Sequence, residues 1–314
     1  MSFSSEVKNE LARIEPEKNC CELAEISGFI RTAGSLRLEG GGRFRIVVST
    51  SDPAIARHYK KLIKNYFDTP TELEVEDGGN LGKGHKYILS IGPEDRSEQI
   101  LREAGILMVR KGNNYISDGI YDGIVRSKCC RKAYLRGVFL GSGTVSDPAK
   151  AYHLEIICGS KVLATDLCKL INTFVDLSAK MVERKGKYVV YMKKAAYISD
   201  TLAIMGAHSH VLALEDVLIR KQMRGEAARM TNCDSANTDR ILDAAGNQIE
   251  AINRLKASGR LEQLPYKLRE MAELRVENPE ASLTELGEML EPPLKKSGVN
   301  NRLKKLLEAA AEIG

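Results

Sequence analysis

The chain has 314 residues, 43% of them hydrophobic and 28% charged, which is the balance of a folded, water-soluble protein of two or three domains. No apolar run reaches about eighteen residues, so the sequence excludes a transmembrane helix. The first residues mix acids and bases and lack the apolar core of a secretion signal, so we expect a cytoplasmic protein that does not contact membranes.

The positive charge is modest overall, at +5, but it is concentrated. The stretches "RSKCCRKAYLR" (126–136) and "LKKSGVNNRLKK" (294–305) are rich in lysine and arginine and contain no acid. Such stretches are usually solvated faces, but two of them in one chain favour a polyanionic partner. A third basic segment, "RKGKYVVYMKK" (184–194), is interpreted equally well as a DNA-facing strand or as a solvated strand edge.

In chain order, the first hundred residues predict a helix with Leu23, Ile26 and Ile30 on one face, and then a strand, "RFRIVVST". An amphipathic helix entered through Asp52-Pro53 follows, then two strands joined by the glycine-rich turn "EDGGNLGKGHK", and then a closing helix. This mixed order predicts an α+β fold, with antiparallel sheets covered on one face by helices.

The chain then repeats itself. "AEISGFIRTAGSL" matches "AYLRGVFLGSGTV", so that Gly28 pairs with Gly137 and Gly34 with Gly143, 109 residues apart in both cases. Further matches keep their order at offsets of 109 to 101. The sequence therefore predicts a tandem duplication, with repeats over about 20–124 and 125–222.

After Lys221 the strand signals stop. One helical stripe is predicted from Ile241 to Leu255, and another from Leu264 to Leu274. Ser282 and Glu285 form a capping-box pattern at the start of a short helix, which "EPP" must end. A last helix is predicted to begin near Ser297 as its N-cap. Residues 223–314 are therefore expected to form a separate all-helical domain.

The seven cysteines are Cys20, Cys21, Cys129, Cys130, Cys158, Cys168 and Cys233. None shows the C-x-x-C spacing of zinc sites, so reduced thiols are expected and neither a metal nor another cofactor is predicted.

The paired segments "ISGFIRTAG" and "LRGVFLGSG" resemble the LAGLIDADG motif of homing endonucleases. That resemblance implies two central helices packed through small residues, here Ser27, Gly28 and Gly137, around a pseudo-two-fold axis. The penultimate motif position, which carries the metal-binding acid, holds Ala33 in one repeat and Ser142 in the other. Neither side chain can replace a carboxylate at a metal-dependent cutting centre, so the chain is not expected to be an enzyme.

Together with "SFSSEVKNELARI", "RMTNCDSAN" and "SGVNNRLKKL", these segments resemble the WhiA family along essentially the whole chain. The resemblance implies two degenerate LAGLIDADG-like repeats over 1–222, followed by a helix-turn-helix domain over 223–314. It further implies a sequence-specific DNA-binding transcription regulator of bacterial sporulation, cell division or chromosome segregation, associated with the nucleoid. Its expected partners are double-stranded DNA and, in actinobacteria, a WhiB-like protein bound through the repeat domain.

The predicted reading helix carries Val299, Leu303, Leu306, Leu307 and Ala310 on its inner face. In helix-turn-helix proteins the start of the second helix reads bases, with asparagine suited to adenine and arginine to guanine, while lysines contact phosphates. An ordinary amphipathic helix with a solvated basic face is the alternative. The predicted DNA-binding residues are Lys295, Lys296, Ser297, Asn300, Asn301, Arg302, Lys304 and Lys305.

Two rival functions stay open at this point. The first is a protein-interaction module that contacts DNA only weakly. The second is an active LAGLIDADG endonuclease, which the missing acids argue against.

Overall fold

The structure is a computed structural model that describes residues 2–77 and 84–313. Its contacts divide the chain into two units, Met1–Arg220 and Lys221–Gly314. The first unit is α+β and the second is helical, as predicted.

The first repeat begins after helix α1 (Phe3–Leu11). Its elements are, in order, α2 (Asn19–Ala33), β1 (Gly34–Glu39), β2 (Arg43–Thr50), α3 (Pro53–Phe67), β3 (Glu72–Asp77), β4 (His85–Ile91) and α4 (Ser97–Glu103). The predicted entry to α3 is confirmed, because the Asp52 carboxylate accepts a hydrogen bond from the Ala54 amide at 2.8 Å. Most of the predicted glycine-rich turn, residues 78–83, lies outside the described residues, but the strands β3 and β4 flank it as expected.

A hairpin, β5 (Leu107–Arg110) and β6 (Asn113–Ile116), separates the repeats. The second repeat contains α5 (Lys128–Ser142), β7 (Gly143–Val145), β8 (Leu154–Cys158), α6 (Lys161–Ile171), β9 (Lys180–Arg184), β10 (Lys187–Met192) and α7 (Ala195–Met205). Both repeats build antiparallel sheets of the same strand order, β1-β2-β4-β3 and β7-β8-β10-β9. This shared topology confirms the predicted duplication.

The core of the first unit is organised around the two LAGLIDADG-like helices, α2 and α5, which pack against each other. A side chain at Gly28 would place its Cβ 2.5 Å from the Tyr134 carbonyl oxygen, and one at Gly137 would overlap the Glu25 carbonyl. Gly141, which the sequence analysis did not single out, also lies close to α2, because a Cβ there would overlap the Thr32 hydroxyl. The expectation for Ser27 is wrong: its hydroxyl donates to the Ala104 carbonyl at 2.7 Å instead of spacing the helix pair.

The second unit contains the C-terminal part of α8 (His208–Ala257), then α9 (Tyr266–Glu277), α10 (Leu283–Glu288) and α11 (Lys296–Ala311). Its core joins Ala251, Ile252 and Leu255 to apolar side chains of α9, α10 and α11. Ile241 and Leu242 are exposed, so the predicted stripe is wrong at its start. The reason is that this core begins at Ala251 along α8.

Candidate nucleic-acid interface

Helices α10 and α11 form a compact helix pair in the second unit. The predicted capping box starts α10: the Glu285 amide donates to the Ser282 hydroxyl at 3.3 Å, and the Ser282 amide donates to the Glu285 carboxylate at 2.7 Å. Hydrogen bonds from Ser282 to the carboxylate, first of all from its amide, hold the pKa of the Glu285 carboxyl below its usual value, since they favour the charged form.

The turn between the two helices is packed closely against α10. The Leu294 amide donates to the Gly287 carbonyl at 2.9 Å. A Cβ at Gly287 would overlap the Leu294 carbonyl, so only glycine lets the turn approach the helix this closely. This contact sets the position at which α11 begins.

The inner face of α11 matches the sequence pattern at four positions: Val299, Leu303, Leu306 and Ala310 are buried in the core of the second unit. Leu307 was predicted to join them, but it is exposed. It lies one residue beyond Leu306, and one helical step of about 100° turns it away from the core.

The outer face of α11 is polar and basic. Its exposed positions recur at four-residue intervals, so they form one continuous surface, which we call the α11 outer face. Its only ion pair among the described residues joins Lys304 to Glu308 at 3.8 Å, and both side chains remain largely exposed. The predicted DNA-binding residues on or next to this face are Lys295, Lys296, Ser297, Asn300, Asn301, Lys304 and Lys305.

Two details of the prediction differ from the structure. Arg302 does not share the α11 outer face: its side chain is only 19% exposed, and its guanidinium lies 3.3 Å from both the Glu270 carboxylate and the Lys267 carbonyl of α9. The N-cap of α11 is Lys295, whose side chain makes no capping hydrogen bond, and Ser297 lies inside the first turn. Ser297 therefore lies two residues beyond the actual N-cap.

The two positions of the lost acids lie where the motif predicts. Ala33 is the last residue of α2 and Ser142 the last residue of α5, and each is followed by a glycine that opens a strand. The Ser142 hydroxyl donates to the Ile157 carbonyl at 2.7 Å, so it is committed to the backbone. The nearest acid in the chain after α2, Glu39, forms an ion pair with Arg45 at 2.5 Å.

The third basic segment, 184–194, covers the turn from β9 into β10, with β9 at the edge of its sheet. Arg184, Lys185 and Lys187 are exposed there, while Lys193 and Lys194 lie over the rings of Tyr191 and Tyr197. Arg184 ends the edge strand β9, where a charged side chain also serves to prevent edge-to-edge pairing, while Lys185 lies in the turn and Lys187 begins the inner strand β10.

Sequence reasoning missed one cluster altogether. The sulfur atoms of Cys20, Cys21, Cys129 and Cys130 all lie within 4.8 Å of one another. The absence of C-x-x-C spacing argued against such a cluster, but the two doublets come from different repeats. Their common offset of 109 residues, the same as that of Gly28 and Gly137, was the available signal.

Within the described ranges, none of the helices combines the length and apolar character that a membrane crossing requires.

Comparison with known proteins shows which family has this architecture. Three family models match the chain in order: a WhiA N-terminal LAGLIDADG-like domain at residues 19–107, a WhiA LAGLIDADG-like domain at 131–224 and a WhiA C-terminal helix-turn-helix domain at 227–310. The chain belongs to the WhiA family. This membership places a degenerate LAGLIDADG-like pair and a helix-turn-helix domain in one protein, which agrees with a non-enzymatic DNA-binding regulator.

Relatives within the WhiA family match over nearly their full length. A probable cell division protein WhiA of Alkaliphilus metalliredigens is 46% identical, over 99% of this chain and 98% of its own. That of Clostridium acetobutylicum is 41% identical, over 100% and 98%. The crystal structure of full-length WhiA from Thermotoga maritima is similar, with a TM-score of 0.61 and 26% identity, over 100% of this chain and 99% of the other.

Proposed function

We propose that this WhiA-family chain is a sequence-specific transcription regulator that binds double-stranded DNA through the α11 outer face and does not cleave it. We assign residues 1–222 to a degenerate nuclease-like domain and 223–314 to the DNA-binding domain. The observation that carries the proposal is the arrangement of α11, which buries its apolar stripe and leaves asparagines and lysines on one continuous exposed face.

The chemistry of this face fits a duplex. Asn300 and Asn301 lie in the N-terminal half of α11, the part of a second helix that enters the major groove, and their amides can pair with adenine edges. Lys304 and Lys305, one turn further along, can neutralise phosphates. The ion pair between Lys304 and Glu308 does not prevent this role, because an exposed pair is worth at most about 1 kcal/mol.

Arg302 has a different role in this proposal. Its bonds to Glu270 and to the Lys267 carbonyl hold α11 against α9, so it orients the reading helix instead of reading a base.

The C-terminal ends of the central helices support the absence of cleavage. Metal-assisted phosphodiester hydrolysis needs carboxylates to hold the cations and to activate water. Ala33 offers a methyl group, and the Ser142 hydroxyl is bonded to the backbone. The names of the relatives point to a role in cell division, and we extend that role to this chain, with an association with the nucleoid as the consequence of DNA binding.

The decisive experiment is in vitro selection of duplexes from a random library with the full-length chain, followed by footprinting of the enriched sequences. A regulator of this kind enriches one motif and binds it at least about a thousandfold more tightly than a scrambled duplex at physiological salt. Enrichment without a motif, with an affinity that depends on salt alone, would contradict the proposal and favour a protein-interaction module with weak DNA binding. A genome-wide binding map then identifies the regulated genes.

A further inference from the structure

A cluster of four cysteines lies at the N-terminal ends of the two central helices, away from Ala33 and Ser142. Cys20 and Cys21 are the second and third residues of α2, and Cys129 and Cys130 are the second and third residues of α5. The doublets are therefore equivalent in the two repeats, and the packing of α2 on α5 brings all four sulfurs within 4.8 Å of one another.

We propose that these four cysteines, which we call the thiolate tetrad, bind one tetrahedral divalent metal ion, and that this ion is zinc. Zinc–thiolate bonds of about 2.3 Å give a tetrahedron with edges of about 3.8 Å, so the sulfurs need to approach one another by no more than about 1 Å. Four sulfur ligands in a tetrahedron are a common structural zinc site and are a poor match for the hard cations magnesium and calcium.

The spacing also argues against larger metal centres. A four-iron cluster places its cysteine sulfurs around an inorganic core and needs them well apart. Sulfurs that all lie within 4.8 Å of one another enclose room for a single ion. The tetrad therefore selects a mononuclear site.

The surroundings compensate the charge of such a site. Four thiolates around a divalent cation carry two net negative charges, and all four cysteines lie in the first turns of α2 and α5, where the helix dipoles are positive. Lys128 and Lys132 line the same pocket as Cys21 and Cys129, and so do the acids Glu15 and Glu17. Each ligating thiol releases its proton to solvent when the metal binds.

The Ser127 hydroxyl lies within hydrogen-bond distance of two of the proposed ligands. The Ser127 Oγ, which caps α5 by accepting from the Cys130 amide, also lies 3.1 Å from the Cys129 sulfur and donates to the Cys130 sulfur at 2.9 Å. Metal ligands are commonly held by such outer partners.

Access from solvent is open on one side. Cys20 is exposed, and Cys21 and Cys129 line a pocket of about 590 Å³. An ion can therefore reach the tetrad without unfolding of the helix pair. Once bound, it would link the first turns of α2 and α5, and so the two repeats, at the end of the interface opposite the lost acids.

The test uses the full-length chain, reduced and freed of metal by a chelator, and titrated with cobalt(II) under anaerobic conditions. We expect one cobalt per chain, with the thiolate-to-cobalt charge-transfer bands and the intense visible absorption of a tetrahedral sulfur site, and displacement of the cobalt by zinc. Zinc should also raise the melting temperature. The variants are Cys20→Ser and Cys129→Ser, which spare the two buried members of the tetrad, and the matched control is Cys233→Ser, at another exposed cysteine.

Both tetrad variants should lose cobalt affinity by more than about tenfold. Removal of a residue that only hydrogen-bonds to a metal ligand already costs about tenfold or more, and removal of a ligand itself should cost at least as much. They should also lose the zinc-dependent rise in melting temperature, while Cys233→Ser retains both. Circular dichroism confirms that each variant is folded. The proposal is overturned by a titration without charge-transfer bands, or by unchanged cobalt affinity in folded Cys20→Ser and Cys129→Ser. It is also overturned if the purified chain shows an iron–sulfur spectrum. Disulfides within the tetrad, found by peptide mapping after purification in zinc without reductant, would overturn it as well.

Discussion

The Arg136 guanidinium lies 2.6 Å from the Glu25 carboxylate, and this ion pair joins α5 to α2 in the buried interior of the first unit. Arg136 also donates to the Met205 carbonyl at 3.1 Å, and His58 lies 2.8 Å from the other carboxylate oxygen. Arg136 belongs to the acid-free stretch 126–136, in which the sequence favoured a polyanionic partner. Its actual partner is an acid in the other repeat.

The first prediction concerns this pair. Arg136→Met should lower the free energy of unfolding by about 3–5 kcal/mol, because it removes the guanidinium from the buried Glu25 carboxylate and leaves only the His58 imidazole beside it. Arg102→Met provides the matched control, since it breaks an exposed pair with Glu98 that is worth at most about 1 kcal/mol. Urea denaturation measures both. Equal losses in the two variants would show that the buried pair contributes no more than a surface pair.

The second prediction concerns the glycines of the central helices. Gly137→Ala introduces a methyl group that overlaps the Glu25 carbonyl, and Gly28→Leu is overpacked against Tyr134 and Val138. Each should cost roughly 1–3 kcal/mol or more, even though alanine is intrinsically a better helix former than glycine. At Gly159 an added Cβ meets no heavy atom within 4 Å, so Gly159→Ala is the control. An unchanged melting temperature in Gly137→Ala would argue against the close crossing of α2 and α5.

Much of this arrangement could be predicted from the sequence, because a duplication constrains both copies at once. The paired motifs predicted both central helices, and the β-branched or alternating segments of each repeat predicted the strands of the sheets. Side-chain direction was less accessible. Ser27 bonds to Ala104 and Arg302 bonds to α9, and both partners are far away in sequence. Helical spacing indicates which positions share a face, but it does not indicate which neighbouring element lies beside that face.

The cysteine doublets show a second limit of prediction from the sequence. Local spacing rules describe ligands that one loop or one turn brings together. Here each repeat supplies half of the cluster, so the relevant spacing is that of the duplication. A repeat alignment that compares ligating residues between copies would have placed the four sulfurs together.

The third prediction concerns the capping box of α10 and its pH dependence. The pKa of Glu285 is lowered in the folded chain, so its stabilising effect is complete above its ordinary value of 4.5 and is lost as the pH falls through the folded-state value. Glu285→Gln should therefore speed amide hydrogen exchange in α10 at neutral pH. The difference from the wild type, measured at matched pH, should disappear in acid. A difference that persists there would assign the effect to something other than the carboxylate.

The fourth prediction is that the purified chain does not cut DNA. Plasmid and genomic DNA incubated with the chain and magnesium or manganese should remain intact, because the acids needed to hold the metal are replaced by Ala33 and Ser142. Gel electrophoresis across the chromatographic peak is the measurement. Nicking that follows the protein peak and disappears with a chelator would reveal a cutting centre built from other residues.

The last prediction separates reading from positioning in the second unit. Alanine substitution of Asn300 or Asn301 should cost about 1–3 kcal/mol on the specific site and little on random duplexes, because non-specific binding is mainly phosphate electrostatics. Alanine at Lys304 or Lys305 should weaken binding to all sequences and reduce the salt dependence by about one unit. Salt-titrated binding to cognate and scrambled duplexes distinguishes the two groups.

Arg302 provides the internal control for that experiment. The Arg302 guanidinium is bonded to Glu270 and to the Lys267 carbonyl, so Arg302→Ala should lower the stability of the second unit. Glu270→Gln breaks the same ion pair from α9. The two variants should therefore weaken specific binding to the same extent. A large loss of specificity in Arg302→Ala with no loss in Glu270→Gln would mean that the guanidinium leaves α9 to read a base. The asparagine variants could instead still distinguish the cognate from the scrambled duplex, while substitutions within residues 1–222 remove that distinction. This result would place sequence recognition in the degenerate nuclease-like domain.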